Sequence, residues 1–404
     1  MPSTSPWLAI ILAALAAIGP FAIDAYLPAF PAMAAALGAT QIEVQQTLTA
    51  YMSTFAVMVL WHGALSDRFG RRAVLIASTV IFSVASVLCA LAQSIEWLWL
   101  GRALQGLCGG AGMVVGRAVV RDVYDGAHAQ RLMSRVMTIF AVAPALAPIV
   151  GGGLLALAGW RSIFFFLALF GAALTWMCWR YLPETLPREA RQPLHPVGLA
   201  RAYGKVLTHP AFLLIAGAGA LNFNAFFIYV LSAPVFVMTH LGLGYGEFGW
   251  LFIPTVGGMM LGSVLSGRMA GRWSPRRCIA VGFAIMLAAA AANVLCAVLL
   301  PAGLPWSVVP LPLFTFGMAL AMPAFSLLAL NHFPERRGMV SSCQSFVQVG
   351  LNAVTAGLIA PAMWGSVLGL ATGMSLFLSL SLMTFLAAGP SQGQKRPPGG
   401  QRSA

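Results

Sequence analysis

Asp24 stands in GPFAIDAYLP, residues 19 to 28, a hydrocarbon stretch bracketed by Pro20 and Pro28. A charge held away from water is expensive: burial favours a carboxyl's neutral form, and a nearby cation or water favours the charged one. A carboxyl balanced between the two can take up a proton from one side of a barrier and release it to the other. The prolines point the same way, because they free backbone groups that must then line something polar. The bland alternative is a structural Asp, hydrogen-bonded to a neighbour. The other nine acidic residues fall in predicted loops or at helix ends.

Arg102 is the matching oddity of opposite sign, in GRALQGLCGGAGMVVGR, residues 101 to 117. Near the outer end of an apolar helix it can snorkel to the headgroups, or it can sit close to Asp24 and tune its protonation. Three sets of residues could hold a ligand. Gln344, Gln348 and Asn352 recur every four positions and form one polar stripe, which either glues helices together or faces a cavity. Asn222, Phe226 and Tyr229 share one helical face, and Tyr51, Phe55 and Met58 another. Aromatic and Met-rich walls with few polar anchors suit varied amphiphilic ligands, and they also serve ordinary helix packing. The six histidines are scattered and the six cysteines form no CxxC pair, so neither a metal site nor a cofactor is expected. No clustered acids or His pair face a common site at a helix end, which argues against an enzyme.

The elements that carry these residues follow from composition. The chain has 404 residues, 59% hydrophobic and 8% charged, where soluble domains carry roughly 25% charged residues. Its apolar runs are continuous rather than alternating, which predicts membrane helices and not a sheet barrel. Twelve are predicted: 7–30, 46–66, 73–94, 97–119, 132–157, 161–181, 211–238, 247–267, 278–300, 305–331, 339–361 and 366–388. The first lacks a basic stretch before it and runs on past Asp24, so it is read as a retained helix and not a cleaved signal.

With this count and the N-terminus inside, every Lys and Arg except Arg102 and Arg161 falls in or beside a loop on one side, or in the C-terminal tail. That is the pattern expected of cytoplasmic loops. It also accounts for the net charge of +13 without nucleic acid as a partner. The expected organisation is a six-helix half over 1–181, a cytoplasmic linker over 182–210, a second six-helix half over 211–388 and a disordered cytoplasmic tail over 389–404. GALSDRFGRRAVL after the second helix and GSVLSGRMAGRWSPRRCIAV after the eighth echo each other, as internal repeats of transporters do.

GALSDRFGRRAVL resembles the signature loop of the major facilitator superfamily. Gly63, Asp67, Arg68, Gly70, Arg71 and Arg72 occupy it, and Asp122 at the inner end of the fourth helix is a partner for its arginines. Such ion pairs can form an inner gate, made in one state and broken in the other. The second half has Ser266 and Gly267 in place of the Asp, so any latch is asymmetric. The R-x-x-Q-G of the fourth helix resembles another motif of the superfamily. APALAPIVGGG, with Pro144, Pro148, Gly151 and Gly152, is similar to the fifth-helix motif of its antiporter branches, with Ala147 where glycine is usual. FAIDAYLPAFP together with RAVVRDVYD resembles the Bcr/CflA drug:proton antiporters.

The resemblance implies an all-α membrane protein of the major facilitator fold, monomeric in the bacterial inner membrane with both termini cytoplasmic. It would exchange drug-like small molecules for protons, with Asp24 as the carrier and Arg102 beside it. The rival implied by the same fold is a facilitator of a nutrient or metabolite. The residues name no drug.

Overall fold

The computed structural model describes residues 6–124 and 126–389. Asp125 and most of the expected tail, with Lys395, Arg396 and Arg402, lie outside the described residues, as do the side chains of Arg131 and Arg135. Among the described residues twelve helices are long and apolar enough to cross a membrane. They are α1 (Trp7–Leu37), α2 (Gln41–Phe69), α3 (Arg71–Ala90), α4 (Ile95–Val123), α5 (Phe140–Ala158), α6 (Trp160–Tyr181), α7 (Pro210–Leu231), α8 (Gly249–Met269), α9 (Pro275–Leu299), α10 (Pro310–Leu330), α11 (Arg337–Ala362) and α12 (Val367–Ala387). No strand occurs among the described residues.

Local chemistry sets several starts. Thr40 and Glu43 form a capping box before α2: Glu43 N donates to Thr40 Oγ1, and Thr40 N donates to the Glu43 carboxylate at 2.7 Å. Ser274 and Ser366 cap α9 and α12. The α5 helix begins earlier than its apolar pattern, at Gly126, because the polar residues before Leu132 include no proline.

The main departure from expectation is α1, which is not one continuous helix. Its α-helical part ends at Asp24, a turn covers Ala25 and Tyr26, a 3₁₀ turn covers Leu27–Ala29, and α-helix resumes over Phe30–Leu37. Pro28 explains the place. It lacks the amide that would bond the carbonyl four residues earlier, which belongs to Asp24, and its ring crowds that carbonyl. Two π-helical turns also escaped the sequence reading: Pro234–His240 beyond α7, and Thr355–Ile359 inside α11. Residues 182–210, expected as a polar connection, include a helix over Pro196–Leu207.

Packing repeats with an offset of six helices. In the first half α2 packs on α4, α3 on α4 and α6, and α1 on α5; in the second, α8 on α10, α9 on α10 and α12, and α7 on α11. The halves meet along two seams, α2 with α11 and α5 with α8. Arg71 after α2 contacts Asp122 at the end of α4 and Glu184 of the linker, so these segments meet at one end of the bundle, called the basic end below.

Candidate functional site

The polar centre of the first half is built on the break in α1. Asp24 is 4% exposed, and its Oδ1 has no hydrogen-bond partner among the described residues. Gly151 of α5 is what lets α5 reach this break: a Cβ there would lie 1.6 Å from the Ala25 carbonyl oxygen, a separation no side chain tolerates. Gly151 after Pro148 and Pro28 after Asp24 therefore act at one place. Pro144 and Pro148 lie within the α5 helix.

Two residues past Asp24, the Tyr26 hydroxyl meets Thr47 Oγ1 of α2 at 2.9 Å. Thr47 gives its own proton to the Val44 carbonyl at 2.7 Å, so Tyr26 is the donor to Thr47. Beside Tyr26 lies Arg102 of α4, fully buried. Its Cζ is 4.4 Å from the centroid of the Tyr26 ring and 4.5 Å from that of Tyr51, so the guanidinium sits between two aromatic faces. Its Nη1 donates to Gln105 Oε1 at 2.6 Å, and Gln105 Nε2 donates to Ser86 Oγ of α3 at 2.7 Å.

Arg102 therefore does not snorkel. Nor does it pair with Asp24: no ion pair joins them among the described residues. The Arg102 Nε and Nη2 and the Tyr51 hydroxyl have no partners among the described residues. The cation is held by π-faces and one amide, and the carboxyl is left to itself.

At the basic end, Arg71 organises the signature loop. Its Nε donates to Asp122 Oδ2 of α4 at 3.0 Å, its Nη1 pairs with Asp67 of α2, and Nη1 also donates to Ser66 Oγ. The linker closes over this cluster. Glu184 accepts from the Arg71 amide at 2.9 Å, Thr185 Oγ1 donates to Asp122 at 3.1 Å, and the Gln192 amide donates to the Asp67 carbonyl at 3.1 Å. Gly70 joins α2 to α3 with φ +99°, and a Cβ on it would meet the Glu184 carboxylate. Arg72 donates to the Trp179 carbonyl; Arg68 lies in the last turn of α2, and Gly63 has only Val114 near it. The Tyr203 hydroxyl of the linker helix donates to the Leu60 carbonyl at 2.6 Å, and burial pushes this phenol up to about 12, so it remains a neutral donor.

The candidate ligand residues divide. On α7, Asn222 donates to Met286 Sδ of α9 at 3.3 Å and Tyr229 accepts from Asn293 of α9 at 2.7 Å, so both face into the second half rather than towards the first. Asn222 and Tyr229 are therefore both engaged by α9. Asn224, two residues on, turns to α11 instead: its Nδ2 donates to Asn352 Oδ1 at 2.8 Å, and its own Oδ1 is buried without a partner among the described residues. Gln344 accepts from Ser326 of α10 at 3.0 Å, while Gln348 is half-buried between them. On α2, Tyr51 and Phe55 rings lie 6.0 Å apart beside α4, Phe226 of α7 is buried, and Met58 is half-buried.

Two further buried polar side chains were not singled out from the sequence. Gln45 is fully buried with neither amide atom partnered among the described residues, and so is the His62 Nδ1. Among the described residues no group of three or more His, Cys, Asp or Glu is placed to hold a metal ion, and the six cysteines are free thiols. The arrangement offers a lone buried carboxyl, a caged cation and amides near the junction of the halves; it can exchange a proton and hydrogen-bond a guest.

Residues 10–356 match the Major Facilitator Superfamily. The chain is 32% identical over 356 residues to the Uncharacterized MFS-type transporter YdgK of Bacillus subtilis (strain 168), covering 87% of this chain and 88% of that protein. It is 28% identical over 387 residues to the Multidrug resistance protein MdtL of Escherichia coli O139:H28 (strain E24377A / ETEC), covering 93% and 94%. Among solved structures, a D-xylose-proton symporter superposes with a TM-score of 0.72 at 16% identity, over 95% of this chain and 97% of that one. A bacterial homolog of the human lysosomal transporter Spinster, inward-facing and occupied, gives 0.70 at 18% identity, over 96% and 97%. These structural likenesses establish the fold alone.

Proposed function

The chain belongs to the Major Facilitator Superfamily, and from that premise we propose that it expels drug-like small molecules in exchange for protons, by alternating access of its two six-helix halves. The reading places it in the bacterial inner membrane with the basic end in the cytoplasm, since loops on that side collect Lys and Arg. It takes the chain as a relative of the Bcr/CflA branch, a view supported by FAIDAYLPAFP and by the multidrug-named relative above.

One observation carries the proposal: the only carboxyl in the interior of α1 is buried at a helix break and paired with no cation among the described residues. A carboxyl committed to an ion pair would be fixed in its charged form, whereas Asp24 is free to gain and lose a proton as its surroundings change. In the cycle, Asp24 takes a proton from outside while the cavity opens outward, and cargo departs. The proton leaves inward, and the next cargo binds. Tyr51, Phe55, Met58, Phe226, Asn224, Asn352 and Gln348 line its path. No covalent step is required; the work is coupling between two binding events. The electrical part of the proton gradient supplies about 2.3 kcal/mol per charge per 100 mV.

The test uses purified protein in vesicles acidified inside, with a pH dye in the lumen and a fluorescent cationic drug outside. Drug uptake should alkalinise the lumen in the wild type, and Asp24→Asn should abolish the proton signal. Drug movement at an undiminished rate in Asp24→Asn, or in wild type without any pH change, sinks the proposal and favours an uncoupled facilitator.

A further inference from the structure

We infer that Gln46 is the latch that shuts the end of the molecule opposite the basic loops. The inference rests on alternating access but not on the identity of the cargo or on protons. The Gln46 Nε2 of α2 donates to the Gly357 carbonyl of α11 at 3.0 Å, a bond between the two halves across one of their seams. That carbonyl is available for a stated reason. Its α-helical donor would be the amide of residue 361, which is Pro361 and has none. The helix answers with the π turn over Thr355–Ile359, a device common where a helix serves a function.

The approach is close. A Cβ on Gly357 would lie 3.1 Å from the Thr49 side chain, which would have to give by a few tenths of an ångström. The second seam closes at the same end: Gly152 of α5 faces the Tyr245 carbonyl just before α8, where a Cβ would come within 2.6 Å. A groove of about 370 Å³ runs along the first seam from the latch towards the basic end, lined by Gln46, Ser53, Phe346, Gly350 and Gly357. At the basic end the contact between α4 and α11 is a long one, Arg117 Nη1 to Ser341 Oγ at 3.4 Å.

Among the described residues the halves are thus joined by a short hydrogen bond at one end and a long one at the other. A two-state rocker needs a bond that is whole in one state and broken in the other. Gln46 to Gly357 fits that need, because the amide is uncharged, side chain to backbone, and free to take water when the seam parts.

Spin labels on Ile42→Cys and Ala362→Cys, at the two helix ends nearest the latch, test it in the full chain with its six native cysteines replaced by alanine. Distances are read without cargo or gradient. The wild type should show one dominant short population. Gln46→Leu should raise the ratio of long to short about five-fold, the worth of one ordinary hydrogen bond. Gln46→Glu should do the same at neutral pH, since a carboxylate cannot donate, and should return toward the wild-type ratio in acid, where its O–H can. Unchanged ratios in Gln46→Leu overturn the inference, as does a Gln46→Glu ratio that follows Gln46→Leu at every pH. Because nothing is transported in this measurement, failure of the efflux assay leaves the result intact, and the reverse holds.

Discussion

The Cζ of Arg102 lies 4.5 Å from the centre of the Tyr51 ring, and the phenol oxygen of that ring bonds to nothing among the described residues. The ring's face is therefore what matters to the cation. Tyr51→Phe should change stability by less than about 0.5 kcal/mol, since no hydrogen bond is lost. Tyr51→Leu should cost about 2 kcal/mol, the value of a desolvated cation–π contact. Thermal melts in detergent distinguish them; equal losses in the two variants would show the hydroxyl to matter instead.

Gly151 packs on the backbone where α1 breaks. Gly151→Ala must push α5 off Ala25 or bend the break, and overpacking of this kind costs about 1–3 kcal/mol. The expected outcome is a lower melting temperature and slowed transport, with Gly153→Ala as the control, since a Cβ there meets nothing within 4 Å.

Arg71 and Asp122 should be energetically coupled. Asp122→Asn leaves a largely buried guanidinium with Asp67 as its one carboxylate, and Arg71→Met leaves Asp122 with the linker's Thr185. Each single change should destabilise by about 1–2 kcal/mol, the partial exposure of the carboxylates discounting the full buried-pair figure. The double variant should recover roughly 1 kcal/mol of the sum. Strict additivity in urea or thermal unfolding would mean that the pair carries no latch.

Asn224 and Asn222 should part company. Asn224→Ala removes a donor between α7 and α11 beside the seam, and should weaken drug binding by about ten-fold, the loss of one well-placed hydrogen bond to a buried partner. Asn222→Ala removes a contact to Met286 and should lower stability while leaving the dissociation constant within two-fold, on the same scale. Fluorescent-drug titrations read the difference.

The helix count, the basic end and the packing motifs were legible because each is set by local chemistry: apolar length, arginine placement, and glycine or proline at a fixed spacing. Asp24 was legible for the same reason, as a lone charge in hydrocarbon. Its separation from Arg102 was not. Which way a long side chain turns is decided by Tyr26 and Tyr51, which are distant in sequence from Arg102 and from each other. The same holds for α7, where periodicity marked a polar face without saying which neighbour it meets. Asn222 finds α9, and its near neighbour Asn224 finds α11. Gln45 and Gln46 gave no signal, because a polar residue in a membrane helix that begins QIEVQQT blends with the helix start. The break at Asp24 could have been found: counting back four from Pro28 gives it.

The linker bears on how the molecule bends. Glu184 is tied to the first amide of α3, Gln192 to the Asp67 carbonyl and Tyr203 to Leu60, so the strap is moored along its length to the first half. Between Leu207, where its helix ends, and Pro210, where α7 begins, only two residues remain. Whatever swing the second half makes must be taken up in that short pivot, and lengthening the strap upstream of Leu207 would add slack where there is no joint to use it.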